Sequence, residues 1–484
     1  MPGVNVTTSV RTGPTNPAGP PEGQVILVGI TERGPVDGPR RVTSIAQFEQ
    51  TFGGLTAYSG NLYDSVRVFF EEGGYTALVG RVVGPAAAAG FLTLKDRDAD
   101  EPADTLKITA FGPGAWSANL TVEVAAGTQA DTFKLIVGYN GATVETYDNL
   151  ASPADAVTAL SGSAWVRGQD MASETAAPDN QPAVAAAAPL SAGTDDRAAI
   201  TAEHVAAALN LIGVDYGPGA VAAPGWPATT VGDTLVAHAK SHNRIALLAG
   251  SATDTVATIK STAAGLATDG EWAALLFPWL TFPDGSGTRQ VSPESFAAAA
   301  RARANSAVGF WQVPAGEQSA AQFVTGTVTP VDQAINNDLA AARVSGVVTV
   351  GGRIKLYGWF GLSGDAAFTL LNSRDVLNVL TARAEGVLEP YVWATVDGRG
   401  LLLSEVEAAL RGMLQPIADR GGFFPRSNEV GDELDPGYSV TVNELNTTDT
   451  LADNEIHVTL AVRLSPSAKE IYVNIVKAAV TASV

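Results

Sequence analysis

Two apolar runs, QVILVGI at 24–30 and TALVGRVV at 76–83, bracket an amphipathic stretch, GNLYDSVRVFFEE at 60–72, and this arrangement limits the possible folds more than any other part of the chain. A run that is apolar on both faces suits a strand covered on both sides, as in a sheet flanked by helices. Leu62, Val66, Phe69 and Phe70 fall on one helical face, and Gly73-Gly74 stops that helix. Ser44 is placed to cap a shorter helix ending at Phe52, with Phe48 turned inward. Strand, helix, strand in this order predicts a βαβ unit and a parallel or mixed sheet.

A βαβ start raises the question of a phosphate site. The loop after the first strand carries Gly29, Gly34 and Gly38, with Pro35 and Pro39 between them. That spacing is not G-x-G-x-x-G, and the prolines remove amide donors. No G-x-x-x-x-G-K-[ST] occurs. The nearest approach to a G-x-S-x-G elbow, Gly361-Leu362-Ser363-Gly364, is one residue short. His238 and His242 sit four apart in HAKSH, a ligand spacing, but without the glutamate of H-E-x-x-H or an evident third ligand. They read as polar residues on a helix flank. Asp195-Asp196 and the Asp453/Glu455 pair read as solvated turn residues. With four histidines and no cysteine, the expectation is no catalytic residue, no cofactor and no metal. The alternative left open is a hydrolase-like α/β enzyme of unknown substrate.

At 484 residues the chain has room for several domains. A formal net charge of −20 repels phosphate backbones, so nucleic acid is not an expected partner. No cysteine means no disulfide framework. No run of about 18 apolar residues is present, so no membrane insertion is expected. The first residues lack an apolar h-region and do not read as a signal peptide.

Along the chain, Val4, Val6, Thr8 and Val10 alternate as in a strand, and residues 11–23 hold three Gly and four Pro, as in an extended linker. From Gly84 the texture becomes short period-two segments (LKITAF, NLTVEVAA, TFKLIVGY, ATVETYDNL), which predicts a mostly β insertion. Its end, 171–192, reads as a loose connection. The α/β pattern returns near 195 and continues through a helix over SPESFAAAARARANS and a helix–strand–strand run, AINNDLAAARVSGVVTVGGRIKLYGWF. Ser404 and Glu407 form an S-x-x-E capping box ahead of an apolar face of Val406, Leu410, Met413 or Leu414, and Ile417. IHVTLAVRL at 456–464 alternates strictly, with Ile456, Val458, Leu460, Val462 and Leu464 inward. IYVNIV at 471–476 reads as a last strand. The expected fold class is multidomain α/β. A mixed-sheet core is formed by N- and C-terminal segments, a mostly β domain is inserted, and both termini are extended arms. The expected domains are an arm and linker at 1–23, an α/β domain at 24–84 and 195–350, a β-rich insertion at 85–194, and a C-terminal domain at 351–484.

An ordered set of residues resembles the contractile tail sheath family of phages and related injection systems. It begins with Arg33-Gly34-Pro35, Val42-Thr43-Ser44, Phe48, Phe52-Gly53-Gly54, Phe69-Phe70, Gly73-Gly74 and Arg81-Val82. Glu72 stands where that family commonly has asparagine. The C-terminal part is similar too, through NDLAAARVSGVVTVGGRIKLYGWFGLS, the 404–418 helix, and NTTDTLADNEIHVTLAVRLSPSAKEIYVNIV. In the first of these stretches Tyr357-Gly358-Trp359 replaces the family's Trp-Gly, and the arginine that follows there is lost.

The resemblance implies a helical homo-oligomer around an inner tail tube protein, with baseplate and tail terminator proteins at its ends, in a virion tail or a cytoplasmic injection particle. Contraction of the polymer would drive the tube through an envelope. It also implies that both arms join sheets of neighbouring copies. The arm residues are Val4, Val6, Thr8, Val10, Ile471, Tyr472, Val473 and Ile475. A tube-facing helix beginning near Asn372 would carry Arg374 and Arg383, which lie nine residues apart and so about half a turn out of phase.

Overall fold

A computed structural model describes residues 22–285, 287–428 and 432–469. Val4, Val6, Thr8, Val10, Ile471, Tyr472, Val473 and Ile475 therefore lie outside the described residues. The chain divides into two compact units. One comprises the chain to Ala307 and Pro314–Asn378, and the other comprises Val308–Val313 and the chain from Val379.

The first unit is organised by an eight-stranded sheet. Its order is Arg353–Leu356, Val344–Val350, Ala273–Phe277, Ile245–Ala249, Ala220–Ala222, Val25–Gly29, Ala77–Arg81, Arg40–Val42. The six inner strands are parallel, with Val25 opposite Ala77 on one side and Ala220 on the other. Both outermost strands run antiparallel to their neighbours. Val25–Gly29, Ala77–Arg81, Ile245–Ala249 and Ala273–Phe277 are buried at every position, as strands sandwiched between helical layers must be. Helix Gly60–Glu71 buries Leu62, Val66 and Phe69 but only half buries Phe70. It also buries Asp64 and Ser65, because the nearly all-buried helix Glu294–Ala307 packs along it. Asp64 meets this cost with an ion pair to Arg289 at 2.7 Å.

The insertion builds two further sheets. One is ordered Ala185–Pro189, Leu120–Ala126, Phe133–Tyr139, Ala142–Leu150, and the other Phe91–Lys95, Asp104–Ala110, Val166–Asp170. With helix Pro153–Leu160 they enclose a core of their own that includes Leu106, Ile108, Leu120, Val122, Phe133, Leu135 and Leu160. The 171–192 segment is not the loose connection its composition suggested. Ala188 pairs with Val122, and the buried Gln181 amide donates to Asp131 O at 2.7 Å and Ala151 O at 2.9 Å. Alanine and proline gave no strand signal there, since neither favours a strand by itself.

In the second unit, helix Leu401–Asp419 buries Leu402, Val406, Leu410, Leu414 and Ile417, which selects Leu414 over Met413. Its start differs from the expected capping box. Gly400, at φ 75°, precedes the first turn, and the Asp397 carboxylate accepts from Leu401 N at 3.2 Å and Leu402 N at 3.0 Å. Ser404 lies inside the helix, where its hydroxyl donates back to Gly400 O at 3.0 Å. Strand Thr459–Val462 pairs antiparallel with Tyr438–Thr441, and this sheet has two strands among the described residues. Among the described residues no helix is long and apolar enough to cross a membrane.

Candidate functional site

Strand order in the large sheet reverses at Val25–Gly29, from which the chain moves first to Arg40–Val42 and Ala77–Arg81 on one side and later to Ala220–Ala222 on the other. In open α/β sheets the carboxyl ends at such a point form the usual ligand crevice. Here the loop that would cradle a ligand is engaged within the protein. Glu32 accepts from Gly54 N at 2.7 Å and from the Tyr139 hydroxyl at 2.9 Å. Burial, and then the bond to Glu32, push that phenol up to about 12, so it stays a donor. The Arg33 guanidinium donates to Glu49 O at 2.9 Å and lies on the Trp165 ring, 3.9 Å from its centre. On the opposite loop, Gly225 has φ 83°, and a Cβ there would sit 2.1 Å from the Asn61 amide nitrogen. The motif residue Gly53, at φ 84°, likewise has no room for a side chain, since the Glu32 carboxylate would be 2.3 Å away.

Of the groups that read as solvated or flanking, His238 and Asp195 are buried, His242 and Asp196 are half-buried, and Asp453 and Glu455 are exposed. His238 is 5% exposed, its Nε2 lies 2.6 Å from Arg244 Nη1, and its ring stacks on His242 at 4.2 Å. Burial first, then the charge of Arg244 and the neighbouring His242, hold it down at about 3. A guanidinium only donates, so the Nε2 lone pair is occupied and cannot bind a metal. Arg244 in turn holds the carbonyls of Ile212 at 2.8 Å and Gly217 at 3.1 Å. Asp195 is 4% exposed and pairs with Arg81 at 2.7 Å and with Arg197. Arg81 also donates to Gly34 O at 2.7 Å, and burial lowers it to about 10 against the raising effect of Asp195. The buried partner of Asp195, Arg81, lies 114 residues away in sequence and could not be read locally. Ser363, in the near-elbow, accepts from Asp365 N at 3.1 Å as part of a turn. No group of three His, Cys, Asp or Glu among the described residues could hold a metal.

Glu72 has a structural role that sequence reasoning missed. It is fully buried, and its carboxylate accepts from Gln322 N at 2.9 Å, Phe323 N at 2.9 Å, Val324 N at 2.8 Å and Arg303 at 3.0 Å. One side chain thus fixes the 322–324 backbone to the end of helix Gly60–Glu71. A glutamate just ahead of a Gly-Gly stop was the available signal, and its partners could not be read from the sequence.

Sheet edges differ in how they are finished. The large sheet ends on Arg40 and Arg41 at one side and on Arg353 and Lys355 at the other. Arg353 pairs with Glu317 at 2.9 Å. In the insertion, the edge strand Ala185–Pro189 carries a bulge and a proline. Such features discourage further pairing. Tyr438–Thr441 and Thr459–Val462 have no charge, no proline and no shift in register. Ile456, Val458, Leu460, Val462 and Leu464 alternate with exposed residues as the sequence predicts, yet each is only half-buried within this chain.

Solved structures align with the chain over almost its whole length. The sheath tail protein Lin1278 of Listeria innocua superposes with a TM-score of 0.62 at 12% identity, over 91% of this chain and 94% of that one. The fold is the tail-sheath fold. A chain in the contracted helical sheath of the anti-feeding prophage aligns over 99% of both chains, with a TM-score of 0.56 and 12% identity. A chain in the contracted sheath complex of the extracellular contractile injection system PVC covers 99% of this chain and 98% of its own, at TM-score 0.52 and 13% identity. No protein-family model matches the sequence, and no curated protein matches it. Within this sheath fold, Arg374 lies over Trp272 at 4.2 Å and Phe368 at 4.4 Å, with Glu271 at 3.8 Å. Arg383, half-buried in the second unit, lies over Phe310 at 4.7 Å.

Proposed function

We propose that the chain is a structural subunit of a contractile sheath, which polymerises helically around an inner tube and shortens to drive that tube forward. The observation that carries this reading is the open sheet of Tyr438–Thr441 and Thr459–Val462, with its half-covered apolar stripe. A two-stranded sheet is marginal in water by itself, and unguarded edges accept strands from other chains. The arm sequences, Val4 to Val10 and Ile471 to Ile475, have the apolar, β-favouring character that such edges accept. Addition between copies in a head-to-tail sense generates a helix when its rotation does not close a ring.

In this reading the arms stay joined while the folded bodies rotate into tighter contact, and the driving free energy is stored in assembly. No nucleotide is required, which agrees with a switch-point crevice filled by Glu32, Arg33 and Asn61. The place of work is a contractile tail, with tube, baseplate and terminator proteins as partners. Tube contact through Arg374 and Arg383 belongs to the same proposal.

Electron microscopy of the expressed full chain tests the reading. Long hollow polymers are expected, and removal of residues 1–20 should abolish them while the folded body still melts cooperatively. A full-length chain that stays a small oligomer under assembly conditions would contradict it.

A further inference from the structure

Three consecutive residues after the first strand form a seat for the insertion. Glu32 takes the Tyr139 hydroxyl, Arg33 lies on Trp165, and Gly34 O lies 2.2 Å from where a Cβ on Gly112 would be. Arg33 is 5% exposed, and Tyr139 is also near its guanidinium, 5.9 Å from ring centre to Cζ. Trp165 and Tyr139 contact each other at 4.8 Å between centres. The insertion therefore presents an aromatic pair, and the sheet presents a cation, a carboxylate and the Glu49 carbonyl that orients the cation. Away from this seat the two crossings are tied to each other, where Gly84 N donates to Asp195 O at 2.9 Å and Ala88 bridges Thr194. Its hydrophobic core is separate from that of the sheet.

We propose that this seat is an exchangeable guanidinium-binding site, filled in this chain by Arg33, and that emptying it releases the 85–194 insertion to move as a body about its two crossings. A planar cation stacked on indole and held by a carbonyl is a recognition geometry that a free guanidinium can reproduce. The crossings keep their own tie, the buried Arg81–Asp195 pair, so loss of the seat need not unfold either core. The inference is independent of whether the chain polymerises.

The test is amide hydrogen exchange on the full chain carrying Arg33→Ala. Exchange in 30–35, 84–90 and 190–196 should rise by roughly tenfold or more, while strands Leu120–Ala126 and Val25–Gly29 keep their protection. Methylguanidinium should restore the slow exchange, and sodium chloride at the same concentration should not. Wild-type exchange in R33A, or equal response to both salts, would overturn the proposal. So would loss of protection inside the insertion's own strands, because Arg33 would then be part of a core rather than a docking contact. If R33A does not fold, Tyr139→Phe removes only the bond to Glu32. It is expected to speed exchange in 30–35 alone, and unchanged exchange there would likewise count against the seat.

Discussion

Glu294 occupies the first turn of helix Glu294–Ala307 with 1% exposure, and its Oε2 has no partner. Burial raises its carboxyl from 4.5 to about 7, with Ser292 and its own backbone pulling the other way. The folded form thus holds a proton that the unfolded chain releases. Between 4.5 and about 7 the folded state binds more protons, so stability from this group is full below the window and falls as pH rises through it. Glu294→Gln is expected to flatten that slope and to add roughly 3 kcal/mol above the window, at about 1.4 kcal/mol per pKa unit. Thermal melts across that range check this, and an unchanged slope contradicts it. Glu72 differs in that both of its carboxylate oxygens accept hydrogen bonds. Glu72→Ala strands three backbone donors and should cost on the order of 3 kcal/mol in denaturant unfolding. Neither residue was legible in the sequence, because the partners of Glu72 lie some 250 positions away and the burial of Glu294 depends on neighbours from other elements.

Among the elements, strands buried on both faces and helices with one apolar face could be read directly. Val25–Gly29, Ala77–Arg81 and the Val406–Ile417 stripe appear where their periodicity puts them. Elements whose signal comes from elsewhere were misread. Ala185–Pro189 is a strand because Leu120–Ala126 lies beside it, and helix Leu401–Asp419 starts where Asp397 and Gly400 allow rather than at Ser404. The alternation at 456–464 was read correctly in phase, but its inward face stays half-covered. Leu460→Lys places a charge on that stripe and should block polymer formation, while the first unit's melting transition is unchanged. Light scattering and calorimetry on the same preparation check both halves. Polymers of normal length in L460K would show that the stripe is not covered by a neighbour.

For the whole molecule, the division is between a large α/β body and a smaller unit in which strand Thr459–Val462 presents an edge with no charged residue. The large sheet's edges are charged and Ala185–Pro189 is bulged, features that discourage pairing there. The chain's acidic surface, at −20 overall, adds repulsion between copies that salt screens. Assembly should therefore become faster as ionic strength rises, and light scattering against salt concentration measures this. The central claim is that chain ends complete the Tyr438–Thr441 and Thr459–Val462 sheet of other copies. The absence of native cysteine makes a covalent test clean. Ala461→Cys is combined in turn with a cysteine at Val4, Val6, Thr8 or Val10, and the assembled material is oxidised and run on a denaturing gel. The account predicts ladders of linked subunits for at least one arm position. Only monomers, unlinked or closed on themselves, at every position would contradict it.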